Sequence, residues 1–263
     1  RWYAQAGTPV LGVSDDWDAV RGEYRLRLRQ SCPPTPGQAE KLPFVIPLLF
    51  GLLDPQSGAE LPVPPDTDAR LRPGEGGTLL ALADASTELV FRGLSRRPLP
   101  SLLRGFSAPV KLEYEYSDAQ LAFLARHDSD GFNRWDAGQR LMLRSLLAAT
   151  ADVQAGRPVQ LPDALRELLA DVVARAGEDP ALAAEALALP AESYVADQMA
   201  VADPGAVHTA RQALRQTLAQ ALREPLLAAY ARFRDDGPWQ ASAAAIARRA
   251  FRNGVLGLLG VLP

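Results

Sequence analysis

The hydrophobic period of this chain changes once, between Tyr116 and Ser117, and that change constrains the fold most strongly. Residues 24–29 alternate strictly between apolar and charged side chains, which is the pattern of a strand with one buried face. In residues 165–173 the apolar side chains instead return every three or four positions, as on one face of an amphipathic helix. The sequence therefore predicts a β region followed by an α region, with the boundary between residues 98 and 117.

Six strands are predicted in the β region, and clusters of proline and glycine separate them. The predicted strands cover residues 9–13, 24–29, 44–53, 78–82, 88–91 and 110–116. The predicted turns cover residues 33–37, 62–68 and 73–77. Short strands at this spacing are typical of an antiparallel, Ig-like β-sandwich.

Helix-start signals mark the α region. Ser117 and Gln120 have the spacing of a capping box, and Asp179 and Asp203 each precede a proline at a first helical position. The predicted helices cover residues 118–126, 130–155, 163–176, 180–188, 192–201, 204–221, 224–234 and 239–260. Short helices joined by tight loops predict an α-solenoid or an irregular bundle.

Charge and composition argue against a nucleic-acid partner. The net charge is −3 and the pI is about 5.5, whereas nucleic-acid binders usually carry a basic face. Only Lys41 and Lys111 are lysines, and the arginines are scattered among acidic residues. We expect no nucleic-acid partner.

Cys32 is the only cysteine, which fits a reducing compartment and predicts the cytoplasm. The most apolar stretch, residues 255–262, is far shorter than the roughly 20 residues that a membrane span needs. We expect it to form a buried final helix, with no membrane partner. Because the chain opens on Arg1, we also expect it to be part of a longer polypeptide.

His127 and His208 are the only histidines, and they are far apart in sequence. A helical zinc-peptidase motif needs two histidines one turn apart with a glutamate between them. Asp128 and Asp130 begin a pattern similar to a calcium loop, but Phe132 occupies the place of the third acidic ligand. We expect Asp130 to cap a helix, with Phe132 and Trp135 as core anchors.

Three further candidate functional features lack the neighbouring residues that their function would need. Cys32 precedes two prolines and lacks the surroundings that lower a thiol pKa. Residues 74–77 are rich in glycine but lead into a strand, not into the helix of a phosphate loop. The tryptophans are dispersed and are typical of core residues. The residues predict no catalytic, cofactor-binding or metal-binding side chain in this chain.

Five stretches of the sequence carry a resemblance to a known family: residues 1–9, 35–41, 106–116, 126–139 and 179–185. Together, and in this order along the chain, they resemble the bacterial aminopeptidase N family of zinc metallopeptidases. The resemblance implies that residues 1–105 form the small β-sandwich domain of that family. It also implies that residues 106–263 form the first part of the carboxy-terminal helical domain, and that the start at Arg1 follows the catalytic domain.

The resemblance also implies a function. In that family the zinc ligands and the glutamate base precede the sandwich, so we expect this chain to be a non-catalytic scaffold and active-site cover. The parent would be a zinc-dependent aminopeptidase that removes N-terminal amino acids from peptides. Its zinc would lie in the preceding catalytic domain of the same polypeptide, and this chain alone would be inactive.

The alternative is a stand-alone protein-interaction module, since the concave face of an α-solenoid suits partner binding. The upstream gene sequence separates the two hypotheses. A histidine–glutamate motif before Arg1 favours the peptidase, and a start codon just before Arg1 favours the module.

Overall fold

The computed structural model describes residues 2–64, 67–235 and 237–263. Over these residues the strands come first and the helices follow, which confirms the predicted order. The strands are β1 Val10–Asp18, β2 Glu23–Ser31, β3 Ile46–Leu53, β4 Glu60–Leu61, β5 Leu71–Gly74, β6 Gly77–Leu82, β7 Ser86–Phe91, β8 Leu99–Leu102 and β9 Lys111–Glu113. The helices are α1 Asp118–His127, α2 Gly131–Gln154, α3 Asp163–Arg175, α4 Pro180–Leu187, α5 Glu192–Asp197, α6 Pro204–Ala221, α7 Arg223–Arg232 and α8 Ala243–Leu259.

The chain forms two compact units, and the division between them falls inside α2. The first, Arg1–Arg134, is called the sandwich unit, and the second, Trp135–Pro263, is called the helical unit.

The strands of the sandwich unit form two sheets. The first has the order β7-β2-β1-β9, and the second has the order β4-β3-β6-β5 with β8 also paired to β3. The strand pairs are antiparallel except for β1 and β9, which run parallel with Val10 opposite Lys111 and Gly12 opposite Glu113. The last strand therefore pairs with the first.

Strand β2 has the alternation that the sequence predicts. Tyr24, Leu26 and Leu28 are buried, while Arg27 and Arg29 between and beyond them are exposed. A strand with this period presents one face to the core and the other to water. The buried face defines the interior of the sandwich.

Aromatic rings connect the two sheets across that interior. The ring of Phe50 on β3 lies 6.2 Å from the ring of Phe91 on β7, in an edge-to-face arrangement. Within the first sheet, Tyr24 on β2 lies 6.0 Å from the same Phe91 ring. Such pairs stabilise a core beyond the apolar area that they bury.

Strands β4, β5 and β8 have no counterpart in the prediction. Strand β4 has two residues, and β8 is buried at all four positions, so it shows no alternation. Strand β5 contains Pro73, which its edge position tolerates because an edge strand needs no amide on its free side. The turn predicted over residues 73–77 shrinks to a hairpin tip, since Gly74 pairs with Gly77. Residues 65 and 66 of the turn predicted over 62–68 lie outside the described residues, as does Arg1.

The predicted helix starts are confirmed at three caps. The amide of Gln120 donates to Ser117 Oγ over 3.2 Å, and the Ser117 amide donates to Gln120 Oε1 over 2.8 Å, which is a complete capping box. Asp179 and Asp203 each accept a 3.0 Å bond from the amide three residues on. Helix α8 begins at Ala243, later than predicted, because Ser242 provides its cap.

The core of the helical unit is aliphatic, with few aromatic rings. Leu165, Leu169 and Val173 of α3 contribute one helical stripe, as the sequence predicts. Their buried neighbours come from six further helices and the segments between them: Met142, Leu146, Leu187, Val195, Val207, Leu214, Leu218, Leu226, Phe233, Phe251, Val255 and Leu258.

Helix α8 is buried on one face only. Val255 and Leu258 are buried, but Leu256 is 47% exposed. The expectation of a buried final helix therefore holds for one stripe of side chains. No helix of the described residues is both long and apolar enough to cross a membrane.

Candidate functional site

Each of the two histidines contacts neighbouring side chains of the protein. The His127 ring lies 4.5 Å from the Phe123 ring at the end of α1, and a Cβ at Gly58 would come within 2.7 Å of His127 Cβ. His208 Nδ1 lies 2.9 Å from Glu192 Oε1 on an exposed surface. Across the described ranges, no group of three or more His, Cys, Asp or Glu side chains could hold a metal ion.

Asp128 and Asp130, which follow α1, have different roles. Asp130 Oδ1 accepts a 2.8 Å bond from the Asn133 amide at the start of α2, so it is the helix cap that the sequence predicts. Phe132 packs 5.5 Å from Phe106 and is half-buried. Asp128 is turned to the interior, where its side chain is 0% exposed.

Cys32 and Trp2 lie in the sandwich unit. Trp239 lies in the helical unit and is 77% exposed, so the expectation of core tryptophans is wrong for this residue. The thiol of Cys32 lies 3.8 Å from the Ala6 carbonyl and is half-buried. Trp2 donates from its indole nitrogen to the Val45 carbonyl over 2.8 Å and packs on Phe44. The side chains of Cys32 and Trp2 therefore make local contacts within the sandwich unit.

A polar clasp, formed by Gln38 and Lys41, holds the backbone of residues 4–6. Lys41 Nζ donates to the Ala6 carbonyl over 2.9 Å and to Thr35 Oγ1 over 2.5 Å. Gln38 accepts from the Ala6 amide over 2.8 Å and donates to the Ala4 carbonyl over 3.0 Å. A compact ammonium suits such converging acceptors. Lysine is rare in this chain, so its presence at position 41 is a sequence signal for this contact.

The strongest electrostatic feature is a buried network around Arg104, whose side chain is 1% exposed. Its Nε donates to Ser101 Oγ over 2.8 Å, and its Nη1 donates to the Gly76 carbonyl over 2.9 Å. Its Nη2 lies 2.6 Å from Glu60 Oε1 and 3.0 Å from Asp128 Oδ1. We call these five residues the Arg104 network.

The backbone around Arg104 is arranged to direct this side chain inward. Leu103 and Phe106 have φ angles of 56° and 51°, a left-handed conformation that non-glycine residues adopt at a cost. Gly51 on β3 lies directly under the guanidinium, and a Cβ there would overlap it. The glycine in this strand therefore provides a close approach.

Burial raises the pKa of the Asp128 carboxyl above its ordinary value, and the hydrogen bond from Ser101 and the charge of Arg104 oppose that shift. Asn133 extends the network by donating to Ser101 Oγ over 2.7 Å and to the Leu102 carbonyl over 3.0 Å. The network connects β5–β6, β8 and the start of α2. Of its two carboxylates, Asp128 is fully buried, and Glu60 is 43% exposed but is bound by Arg104 and by the Ser129 hydroxyl. The contacts of the network are therefore those of a structural cluster.

Two concave regions lie among the described residues. A cleft of about 670 Å³ on the outer face of the first sheet is lined by charged side chains such as Arg27, Arg29, Glu88 and Glu113. In that cleft Arg27 pairs with Glu88 over 2.8 Å. A smaller cavity of about 250 Å³ lies in the helical unit beside Arg211.

Comparison with protein families matches both halves of the chain. Residues 7–115 match the DUF3458 family, a domain of unknown function with an Ig-like fold. Residues 118–262 match the DUF3458_C family, a domain of unknown function with ARM repeats. These matches confirm the Ig-like sandwich and the repeat-type helical domain.

Three similar curated proteins are aminopeptidases N. Aminopeptidase N of Escherichia coli is 39% identical over 98% of this chain and 29% of its own length. Aminopeptidase N of Caulobacter vibrioides is 36% identical over 96% of this chain and 27% of its own length.

A solved structure shares the fold. Aminopeptidase A of Legionella pneumophila, in complex with aspartic acid, gives a TM-score of 0.77 at 25% identity, over 99% of this chain and 28% of that one. The chain thus spans less than a third of the length of the relatives that it matches. From the family matches and these alignments together, the chain belongs to the bacterial aminopeptidase N family and corresponds to its Ig-like and ARM-repeat domains.

Proposed function

We propose that this chain is the scaffold and active-site cover of a zinc-dependent aminopeptidase that removes N-terminal residues from peptides. The observation that carries the proposal is the alignment to aminopeptidase N over 96–98% of this chain but only 27–29% of those proteins. Zinc and the bond-breaking groups belong to the preceding part of the same polypeptide. The proposed domains are residues 1–105 for the sandwich and residues 106–263 for the helical part.

The roles of the candidate side chains support this assignment. Asp130 caps a helix, Asp128 pairs with Arg104, and His208 pairs with Glu192. A cover acts by excluding water and bulky substrates from the reacting atoms, which strengthens the electrostatic interactions that remain. The single cysteine supports a reducing compartment, and we propose the cytoplasm.

The test uses the full-length gene product with His127→Ala, His208→Ala and Cys32→Ser introduced one at a time. We expect zinc content and turnover of a small aminoacyl arylamide to remain those of the parent. Loss of a true general base would lower turnover by about 10²–10⁴-fold, so the two outcomes are well separated. Zinc content by elemental analysis and circular dichroism serve as controls for metal loss and unfolding.

A second experiment removes residues 135–263 from the full-length protein. It measures the turnover rates of a small arylamide and of a long peptide. We expect the ratio of the two turnover rates to change more than the zinc content. If any acid, histidine or tyrosine of this chain proves essential for arylamide turnover while folding and zinc remain intact, the scaffold assignment is wrong.

A further inference from the structure

The cavity of the helical unit lies among α4, α6 and α8 and contains two arginines. Its volume is about 250 Å³, and Arg211 and Arg215 of α6 line one side. The rest of the lining is small or aliphatic and includes Ala184, Leu187, Gly254, Gly257 and Leu258. Two fixed cations in an otherwise uncharged cavity are the feature from which the inference starts.

Backbone carbonyls fix both guanidinium groups in place. Arg211 donates from Nε to the Pro190 carbonyl over 2.9 Å and from Nη2 to the Leu189 carbonyl over 3.3 Å. Arg215 donates from Nη2 to the Gly257 carbonyl over 2.5 Å. A guanidinium has five N–H donors, so each group keeps donors beyond these bonds. Within the described ranges, neither arginine forms an ion pair with a carboxylate.

Two glycines of α8 keep the opposite wall open. A Cβ at Gly254 would come no nearer than 4.0 Å to the Ala184 carbonyl oxygen, and one at Gly257 would lie 3.8 Å from Arg215 Nη2. Both distances are ordinary van der Waals contacts, so the fold itself has room for alanine. Alanine also favours a helix more than glycine does. These glycines therefore leave room for about one methyl group each beside Ala184 and Arg215.

We infer that this cavity binds a small organic anion through a carboxylate group. Guanidinium forks match the planar geometry of a carboxylate and form charge-assisted hydrogen bonds with it. The aliphatic lining suits a short carbon chain, and the volume lies below the roughly 300–1,000 Å³ of sites for larger ligands. The inference goes beyond the proposed peptidase function and does not depend on it.

The binding test uses the 263-residue chain, isothermal titration calorimetry and buffers matched in ionic strength with sodium chloride. The probes are succinate, acetate and inorganic phosphate. We expect one succinate per chain, weaker binding of acetate, and a rise in melting temperature with succinate concentration. Absence of heat and of a melting shift with every probe overturns the inference, and a preference for phosphate overturns the carboxylate assignment.

Two sets of variants locate the site. Gly254→Ala with Gly257→Ala, called the filled variant, places two methyl groups in the cavity beside the arginines while leaving both arginines unchanged. Gly138→Ala in α2 is the matched control because its Cβ would also make only an ordinary contact, 3.8 Å from Leu168. We expect the filled variant to lose binding and the control to keep it.

Arg215→Lys keeps the positive charge but removes the fork, and we expect it to weaken succinate binding by roughly tenfold. Unchanged binding in the filled variant overturns the inference even if the arginine variant proves unstable, because the filled variant retains a good helix.

Discussion

The sandwich unit and the helical unit are stabilised by different kinds of buried contact. In the sandwich unit a guanidinium is buried with the Asp128 carboxylate and a backbone carbonyl. In the helical unit the core is aliphatic, and arginines such as Arg211 and Arg252 reach backbone carbonyls from half-buried positions. An apolar core tolerates rearrangement, whereas a buried ion requires its own partners in place. We therefore expect the loss of stability in the sandwich unit to depend strongly on which buried polar residue is replaced. In the helical unit we expect it to depend mainly on the apolar volume that is removed.

The largest effect is expected for Arg104→Met. It leaves Asp128 buried without its cation and the Gly76 carbonyl without its donor, so we expect the free energy of unfolding of the sandwich unit to fall by about 3–5 kcal/mol. Urea denaturation with hydrogen exchange on peptides of each unit measures the effect. Arg27→Met is the matched control, because its side chain is 48% exposed and its pair contributes about 0–1 kcal/mol. Equal losses in the two variants would contradict the role of burial.

A smaller loss is expected for Leu214→Ala in the helical unit. Leu214 is 0% exposed, and removing its buried methyl groups leaves a cavity that costs about 2–5 kcal/mol. Leu227, which is 40% exposed, provides the control Leu227→Ala. Hydrogen exchange should speed up in peptides of α3, α6 and α8. If the loss is spread equally over the sandwich unit, the two units do not unfold as separate structures.

Third in size is the helix cap of α4. Asp179→Ala removes the acceptor of the Leu182 amide, and such a loss costs about 1 kcal/mol. Asp179→Asn is the control, since an asparagine oxygen also accepts this bond. The melting temperature should fall for the alanine variant and change little for the asparagine variant. Equal shifts would mean that the negative charge, and not the cap, is responsible.

The smallest expected effects are those of pH, and they have opposite signs for two carboxyls. Hydrogen bonds from the Ala206 amide and from Gln154 lower the pKa of Asp203 below its ordinary 3.8. Its stabilising contribution is therefore present above that value and is lost as pH falls through the folded-state pKa. Burial raises the pKa of Asp128, so its protonated form favours folding and stability falls as pH rises through its folded-state pKa.

NMR titration of the side-chain carboxyl carbons measures both values in the folded chain. Asp203→Asn keeps the helix cap but removes the titrating carboxyl. We expect the stability of α6 to depend less on pH in the acidic range in this variant than in the parent chain. A folded-state pKa of Asp203 at or above 3.8 would show that the sign for this residue is wrong.

The sequence predicted those parts of the fold that depend on local pattern. The alternation at Tyr24, Leu26 and Leu28 and the caps at Ser117 and Asp203 are set by neighbours in the chain, so they could be recognised in advance. The short strands β4 and β8 could not, because two residues carry no period and four buried residues carry no alternation. Their formation depends on a partner strand distant in sequence.

The candidate site was harder to foresee for the same reason. The partners of Arg104 come from Glu60, Gly76, Ser101 and Asp128, and no spacing rule connects these positions. Only the apolar surroundings of Arg104 and the following Gly105 hinted at a buried charge. The family resemblance, by contrast, could be recognised from the sequence because it lies in contiguous segments of the chain.

The pairing of β9 with β1 also determines when the sandwich can be completed. Lys111 donates its amide to the Pro9 carbonyl over 2.9 Å, so one edge of the first sheet joins residues separated by nearly the whole of that domain. Contacts of this kind make folding slow, since a long loop must close before they form. During synthesis, β1 can pair with β2 early, but its other edge stays unpaired until Glu113 has left the ribosome. Throughout that interval the edge is open to other chains, and a slow stretch of translation after residue 113 would leave time to close it.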